Sequence, residues 1–204
     1  MFRGLHFSAC FYIDRFAVGH YRMLFVNQAL AAKNRNRRIL ESPSPIRDYT
    51  FLGVCDSIRV QRLSTKLTKD WFDDVRKSFS DKRIIYDVDD ILIYEDIPDY
   101  NMYKNGFIDS TEYVKYYMEN SDVVTVSTKY LKEYYINKLG IPENKFVVIP
   151  NLYPRYFFTF NEDLSMKNYD ENRKRPRICF SSSTSHSNIY NKELIEDDFA
   201  SIEK

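Results

Sequence analysis

The sequence predicts an α/β fold, a parallel sheet with helices on both faces, followed by the beginning of a second α/β unit. Three observations lead there. Short apolar runs alternate along the chain with segments of helical period, the pattern of βαβ units. One such unit is complete in the stretch SDVVTVSTKYLKEYYINKLGIPENKFVVIPN, which reads strand, helix, glycine stop, short loop, strand. The run KFVVIPNLYPRYFFTF at 145–160 then ends its strand on Pro150-Asn151 and leaves through Tyr153-Pro154, residues that terminate a strand by fixing φ and by bonding their own backbone.

Taken in order, LHFSACFYI at 5–13 is the first strand. After the loop DRFAVG, residues 20–34 carry apolar positions at Tyr21, Leu24, Phe25, Ala29 and Ala32, a helical spacing. Residues 38–41 form a short second strand before the turn-rich SPSP. SIRVQ at 57–61 is the third strand, and 69–79 is an amphipathic helix holding the single Trp. Residues 83–86 form a fourth strand running into acidic residues, and 111–118 a helix with Ser110 or Thr111 near its N-cap. A strand at 122–127 and a helix at 128–139 follow, the helix stopped by Gly140 with Pro142 beyond. Residues 146–149 close the sheet. The polar stretch 161–176 reads as a linker, 177–181 as a new strand, and KELIEDDFASIEK as a helix at the chain's end.

At 204 residues the chain is long enough for a full core, and a net charge of +1 gives no global field for nucleic acid or an anionic membrane. The basic group Lys33, Arg35, Arg37 and Arg38 reads as a solvated helix end, where cations are favoured. An aromatic content of 16% places many rings in a core or cleft. Cys10, Cys55 and Cys179 are far apart and lie in apolar contexts. They read as buried free thiols of a reducing compartment. There is no transmembrane-length apolar run and no signal-peptide pattern, so the expected location is cytoplasmic.

Chemistry concentrates at Asp87-Val88-Asp89-Asp90, after the strand RIIY. Three carboxylates at a strand end cannot all ionise cheaply without partners. They could bind a cation, accept substrate hydroxyls, or sit under an arginine. DxDD also has the look of a divalent-metal and nucleotide-diphosphate motif, of the first motif of haloacid-dehalogenase-type phosphatases, or of a helix cap. The phosphatase pattern needs a later strand followed by paired acids, whereas Glu196-Asp197-Asp198 falls in a helical segment. Gly19 and Arg22 stand where the first strand turns into the first helix, the region that binds ligands in doubly wound sheets. His186 lies in the serine-rich loop SSSTSHSN. The histidines show no metal-ligand spacing, and no structural zinc is expected.

Four blocks in this order carry a resemblance: GHYRMLFVNQAL, then DSIRVQR with IIYDVDDIL, then the 121–151 unit, then RPRICFSSSTSH. The chain resembles glycosyltransferases built of two Rossmann-like domains, the GT-B architecture. It is particularly similar to those of tailed bacteriophages and bacterial polysaccharide clusters, in which Y-D-x-D-D precedes D-I-P-x-Y-N, here Asp96 to Asn101. The resemblance implies a Rossmann-like acceptor-side domain over 1–160, a linker over 161–176, and at 177–204 the truncated start of a donor-binding domain. A separate polypeptide could then supply the C-terminal half. It implies transfer of a sugar from a nucleotide-sugar, bound as substrate and not as cofactor, to a hydroxyl acceptor, with retention by family analogy. Asp87, Asp89 and Asp90 would face the acceptor or the reacting sugar as catalytic residues. Gly19 and Arg22 would lie near the donor phosphates, Asn151 at the hinge, and His186 in the first loop of the second domain. No metal, cofactor or nucleic-acid partner is implied, and a phage-encoded enzyme would work in the host cytoplasm. The sequence departs from the family in having DRFAVG in place of a glycine-rich first loop. A non-catalytic Rossmann-like module holding a glycan or a partner is the competing expectation.

Overall fold

The computed structural model describes residues 6–12, 17–34 and 36–151. The linker, the second-domain strand and helix, Cys179 and His186 lie outside these residues. In chain order the elements are β1 (His6–Tyr12), α1 (Ala17–Gly19), a π-helical turn (His20–Leu24), α2 (Phe25–Lys33), β2 (Arg37–Ser42), α3 (Tyr49–Val54), β3 (Ser57–Gln61), α4 (Lys69–Ser78), β4 (Arg83–Val88), α5 (Ser110–Asn120), β5 (Val123–Val126), α6 (Lys129–Leu139) and β6 (Phe146–Val148). The strands form one sheet in the order β2-β1-β3-β4-β5-β6. All its pairings are parallel, as the alternation of strands and helices predicts. The fold is Rossmann-like.

This order decides what covers each face. The β1–β2 connection moves along the sheet in one direction, and every later connection moves in the other. Right-handed crossovers therefore put α1 and α2 on one face and α3, α4, α5 and α6 on the opposite one. The side chains agree. Ala9, Phe11, Ile58, Val60, Ile84, Tyr86, Val88, Val124, Val126 and Phe146 alternate onto one face. There they meet Leu52, Phe72, Val75, Val114, Tyr117, Met118, Leu131, Tyr135 and Leu139 in a single apolar core. Tyr86 and Tyr117 are fully buried with their hydroxyls satisfied, Tyr86 donating to the Leu63 carbonyl (2.7 Å) and Tyr117 to that of Thr65 (2.8 Å).

The other face is polar. Ser8 and Ser57, in register on β1 and β3, share a hydrogen bond of 3.1 Å. Asn27 of α2 donates to Glu41 (2.7 Å) and accepts from Arg59 (3.2 Å). Cys10 donates to the sulfur of Met23 at 3.4 Å. Cys10 and Cys55 are buried free thiols, as expected, and burial pushes both up to about 11.

Here the structure corrects the apolar stripe read over 20–34. Ala29 and Ala32 face solvent and Tyr21, Leu24 and Phe25 are half-buried, whereas Arg22, Met23 and Asn27 are the buried side chains. The cause is the π-helical turn, in which the Phe25 N–H bonds the His20 carbonyl. Its wider turn breaks the α-helical phase, and the strand residues beneath it are themselves polar.

Local signals set the ends of α6. Thr128 caps it by accepting from the Leu131 N–H at 3.1 Å, and Gly140 ends it at φ 71° in the left-handed region. The expected cap at Ser110 or Thr111 takes another form. Asp109 is the cap position without a side-chain bond, Ser110 donates to the Leu92 carbonyl (2.5 Å), and Thr111 donates to Glu95 (2.6 Å). Arg37 and Arg38 open β2 and do not close a helix. No helix among the described residues is long and apolar enough to cross a membrane.

Candidate functional site

In a parallel sheet the strands' C-terminal ends line one edge, and a crevice opens where the strand order reverses, here between β1 and β3. A row of residues in register crosses this edge: Tyr12, Gln61, Asp87, Thr125 and Val147. In-register neighbours project to the same face, so Gln61, Asp87 and Thr125 form a polar line beneath the π-helical turn.

Asp87 is the centre of that line. Arg22 grips it with both ends of its fork, Nη2 at 2.5 Å and Nε at 3.2 Å, and Thr125 donates to the same carboxylate at 2.5 Å. The paired side chains are 2% and 4% exposed. Arg22 Nη1 donates to the Ile149 carbonyl and reaches Asn151 Oδ1 at 3.4 Å. Three of the predicted site residues, Arg22, Asp87 and Asn151, therefore meet, the first two buried and Asn151 exposed at the margin. Each guanidinium nitrogen of Arg22 has an acceptor within the protein. Gly19, just before, is buried with φ −59°, ordinary helical backbone.

The three carboxylates expected to compete are separated by their partners. Asp87 is under Arg22. Asp90 is 56% exposed and pairs with Arg62 at 3.2 Å. Asp89 pairs with no cation among the described residues. It is half-buried, and no donor among the described residues reaches its buried Oδ1. Burial, reinforced by the Asp90 charge and opposed by Arg62, pushes its carboxyl up to about 7. Burial thus raises the proton affinity of Asp89.

The backbone around it is held firmly. Ser127 donates to the Asp89 carbonyl (3.3 Å), and Tyr135 donates to that of Asp90 (2.7 Å) while accepting from the Leu92 N–H (3.1 Å). Arg62, at φ 53°, is the one non-glycine residue in the left-handed region among those described, and its N–H bonds the Asp87 carbonyl at 2.9 Å. Such backbone is sparsely populated and collects at functional sites. Gln61 is fully buried, its amide giving only a 3.5 Å contact to the Val18 carbonyl, and no donor among the described residues reaches its Oε1.

Gln61, Arg62, Thr125 and Ser127 were not singled out from sequence. The available signal was a polar residue at or near the end of an apolar strand, in SIRVQR and VVTVS. No cluster of potential metal ligands exists among the described residues. Two open grooves of about 400 and 340 Å³ follow the outer side of α6, one past Tyr130 and Tyr134 and the other past Lys132 and Glu143. Asp87, Asp89 and Asp90 line neither.

No protein-family model matches the chain, and no curated protein matches it.

Proposed function

We propose that the chain is the acceptor-side part of a glycosyltransferase acting in the cytoplasm. It would move a sugar from a nucleotide-sugar to a hydroxyl. The observation that carries this reading is Asp89, a half-buried carboxyl at the C-terminal edge of a parallel sheet, whose buried Oδ1 has no donor among the described residues and whose proton affinity burial raises toward neutrality. An acceptor hydroxyl donates to the other carboxylate oxygen, Oδ2. As the hydroxyl oxygen forms its bond to the anomeric carbon, the bond from that carbon to the nucleoside diphosphate breaks and takes its electron pair with the leaving group. The proton passes to Asp89. Arg62 and Asp90 flank the carboxyl and set its charge environment. Asn151 follows the last strand, at the exit toward the proposed donor side.

Arg22 acts here through Asp87, because its guanidinium is fully engaged within the protein. The same pairing weighs against Asp87 as a phosphatase nucleophile, since both its oxygens are engaged in a site 4% exposed. It also weighs against a DxD metal site, which would need Asp87 free. Reducing cytoplasm suits two buried unpaired thiols.

The test is release of nucleoside diphosphate from a panel of nucleotide-sugars when hydroxyl acceptors are added to the full chain together with any polypeptide that supplies its donor half. The rate is expected to rise with pH through about 7. It should fall about 100-fold or more in Asp89→Asn, the scale of a lost general base. Glycan binding without donor binding or turnover would favour the binding-module reading instead. Turnover that is indifferent to Asp89→Asn would remove Asp89 from the mechanism.

A further inference from the structure

We propose that Arg22 is a positioning residue that couples two separate edges of the crevice, the turn following β1 and the exit of the chain after β6. Its three nitrogens reach residues 65, 127 and 129 positions away. Through them it ties the π-helical turn to Asp87 of β4, and through Asp87 to Thr125 of β5. It also binds the Ile149 carbonyl and Asn151, where the chain leaves the sheet. The π-helical turn and the Ile149–Asn151 exit otherwise have little in common, because β1 and β6 are separated by three strands.

Two features make the coupling more than a local ion pair. First, a guanidinium is a planar fork, so fixing Nε and Nη2 on one carboxylate also fixes where Nη1 points. A shift of the turn must then move the exit or break a buried charge-assisted bond. Second, the helical layer is held largely by directed contacts, with Met23 against Cys10 and Asn27 on Glu41 and Arg59. No residue of α1, the π-helical turn or α2 belongs to the apolar core, and Asn27 is the only buried side chain of α2. Ile149 is likewise held to the sheet by one backbone bond, its N–H to the Val126 carbonyl at 2.8 Å. Elements with few apolar contacts open at low free energy unless a specific contact ties them down. Asp89 lies two residues beyond Asp87, so the same knot sets the floor on which that carboxyl stands.

Amide hydrogen exchange on the full chain tests this without any ligand. In Arg22→Met/Asp87→Leu the buried pair is replaced by apolar side chains, a change that commonly leaves folding intact. Exchange at Ile149 and across residues 25–33 is then expected to rise together by about tenfold or more, the scale of a lost charge-assisted bond. Amides of β3 and β4 should keep their protection. Arg22→Lys keeps a cation beside Asp87 but lacks the fork. It should leave 25–33 protected while Ile149 exchanges faster. A uniform rise over sheet and helices would reduce Arg22 to ordinary core stability and overturn the proposal. So would an unchanged rate at Ile149 in Arg22→Lys, which also decides the matter if the double variant does not fold.

Discussion

The two faces of the sheet are built by different physics. One is an apolar interior shared with α3, α4, α5 and α6, in which Tyr86, Tyr117 and Phe72 are fully buried and their rings stack or meet edge to face. The other carries Ser8, Cys10, Ser57, Arg59, Gln61, Asp87 and Thr125 under the single helical layer of residues 17–33. Non-directional burial holds the first face. Directed, charge-assisted bonds hold the second, and these lock particular side chains in place. The second face borders the proposed site. A polar interior adds little net stability, but it fixes orientation, which an active edge needs.

Two effects of equal size head the comparison, the first on the apolar face. Phe72→Ala should destabilise by about 3–5 kcal/mol, through lost transfer energy plus the cavity it leaves. A denaturant midpoint checks this, and a cost below about 1 kcal/mol would mean that this face is not the main core. On the polar face, Arg22→Met alone leaves Asp87 buried without a cation and should cost about 3–5 kcal/mol. Adding Asp87→Leu should restore most of that loss. A double variant as unstable as the single one would show that the polar face resembles its opposite. The smallest effect is peripheral. Thr128→Ala removes the cap on the Leu131 N–H and should cost about 1 kcal/mol.

The same contrast explains what the sequence disclosed. The strands of both faces were legible because alternation within SIRVQ or RIIYDV and the regular return of helices are local signals. So were Gly140 and the break at Pro150-Asn151. The helix α3, six residues after a proline-rich turn, was too short to show a period. The π-helical turn leaves no mark in residues 20–34, whose apolar stripe fits only an α-helical pitch. The competition among Asp87, Asp89 and Asp90 was foreseeable from three adjacent acids, but its outcome depended on strand order. Arg22 reaches Asp87 and Arg62 reaches Asp90 only because β3 lies between β1 and β4. Nothing local in VVTVS marks Thr125 as the partner of an aspartate 38 residues earlier.

The central claim is that the paired carboxylates leave Asp89 as the proton-exchanging group of the crevice. Its sign in stability is fixed. A carboxyl raised above its unfolded value favours folding fully below about 4, and that contribution is lost as pH rises through about 7. Asp89→Asn should therefore flatten the pH dependence of stability between those values. The most direct measurement follows the carboxyl carbon of Asp89 by NMR as pH is raised from 4 to 9. A midpoint near 7 that moves when Asp90 is changed to Asn is the expected result. A midpoint below about 5, in the range of an ordinary aspartate, would contradict the account.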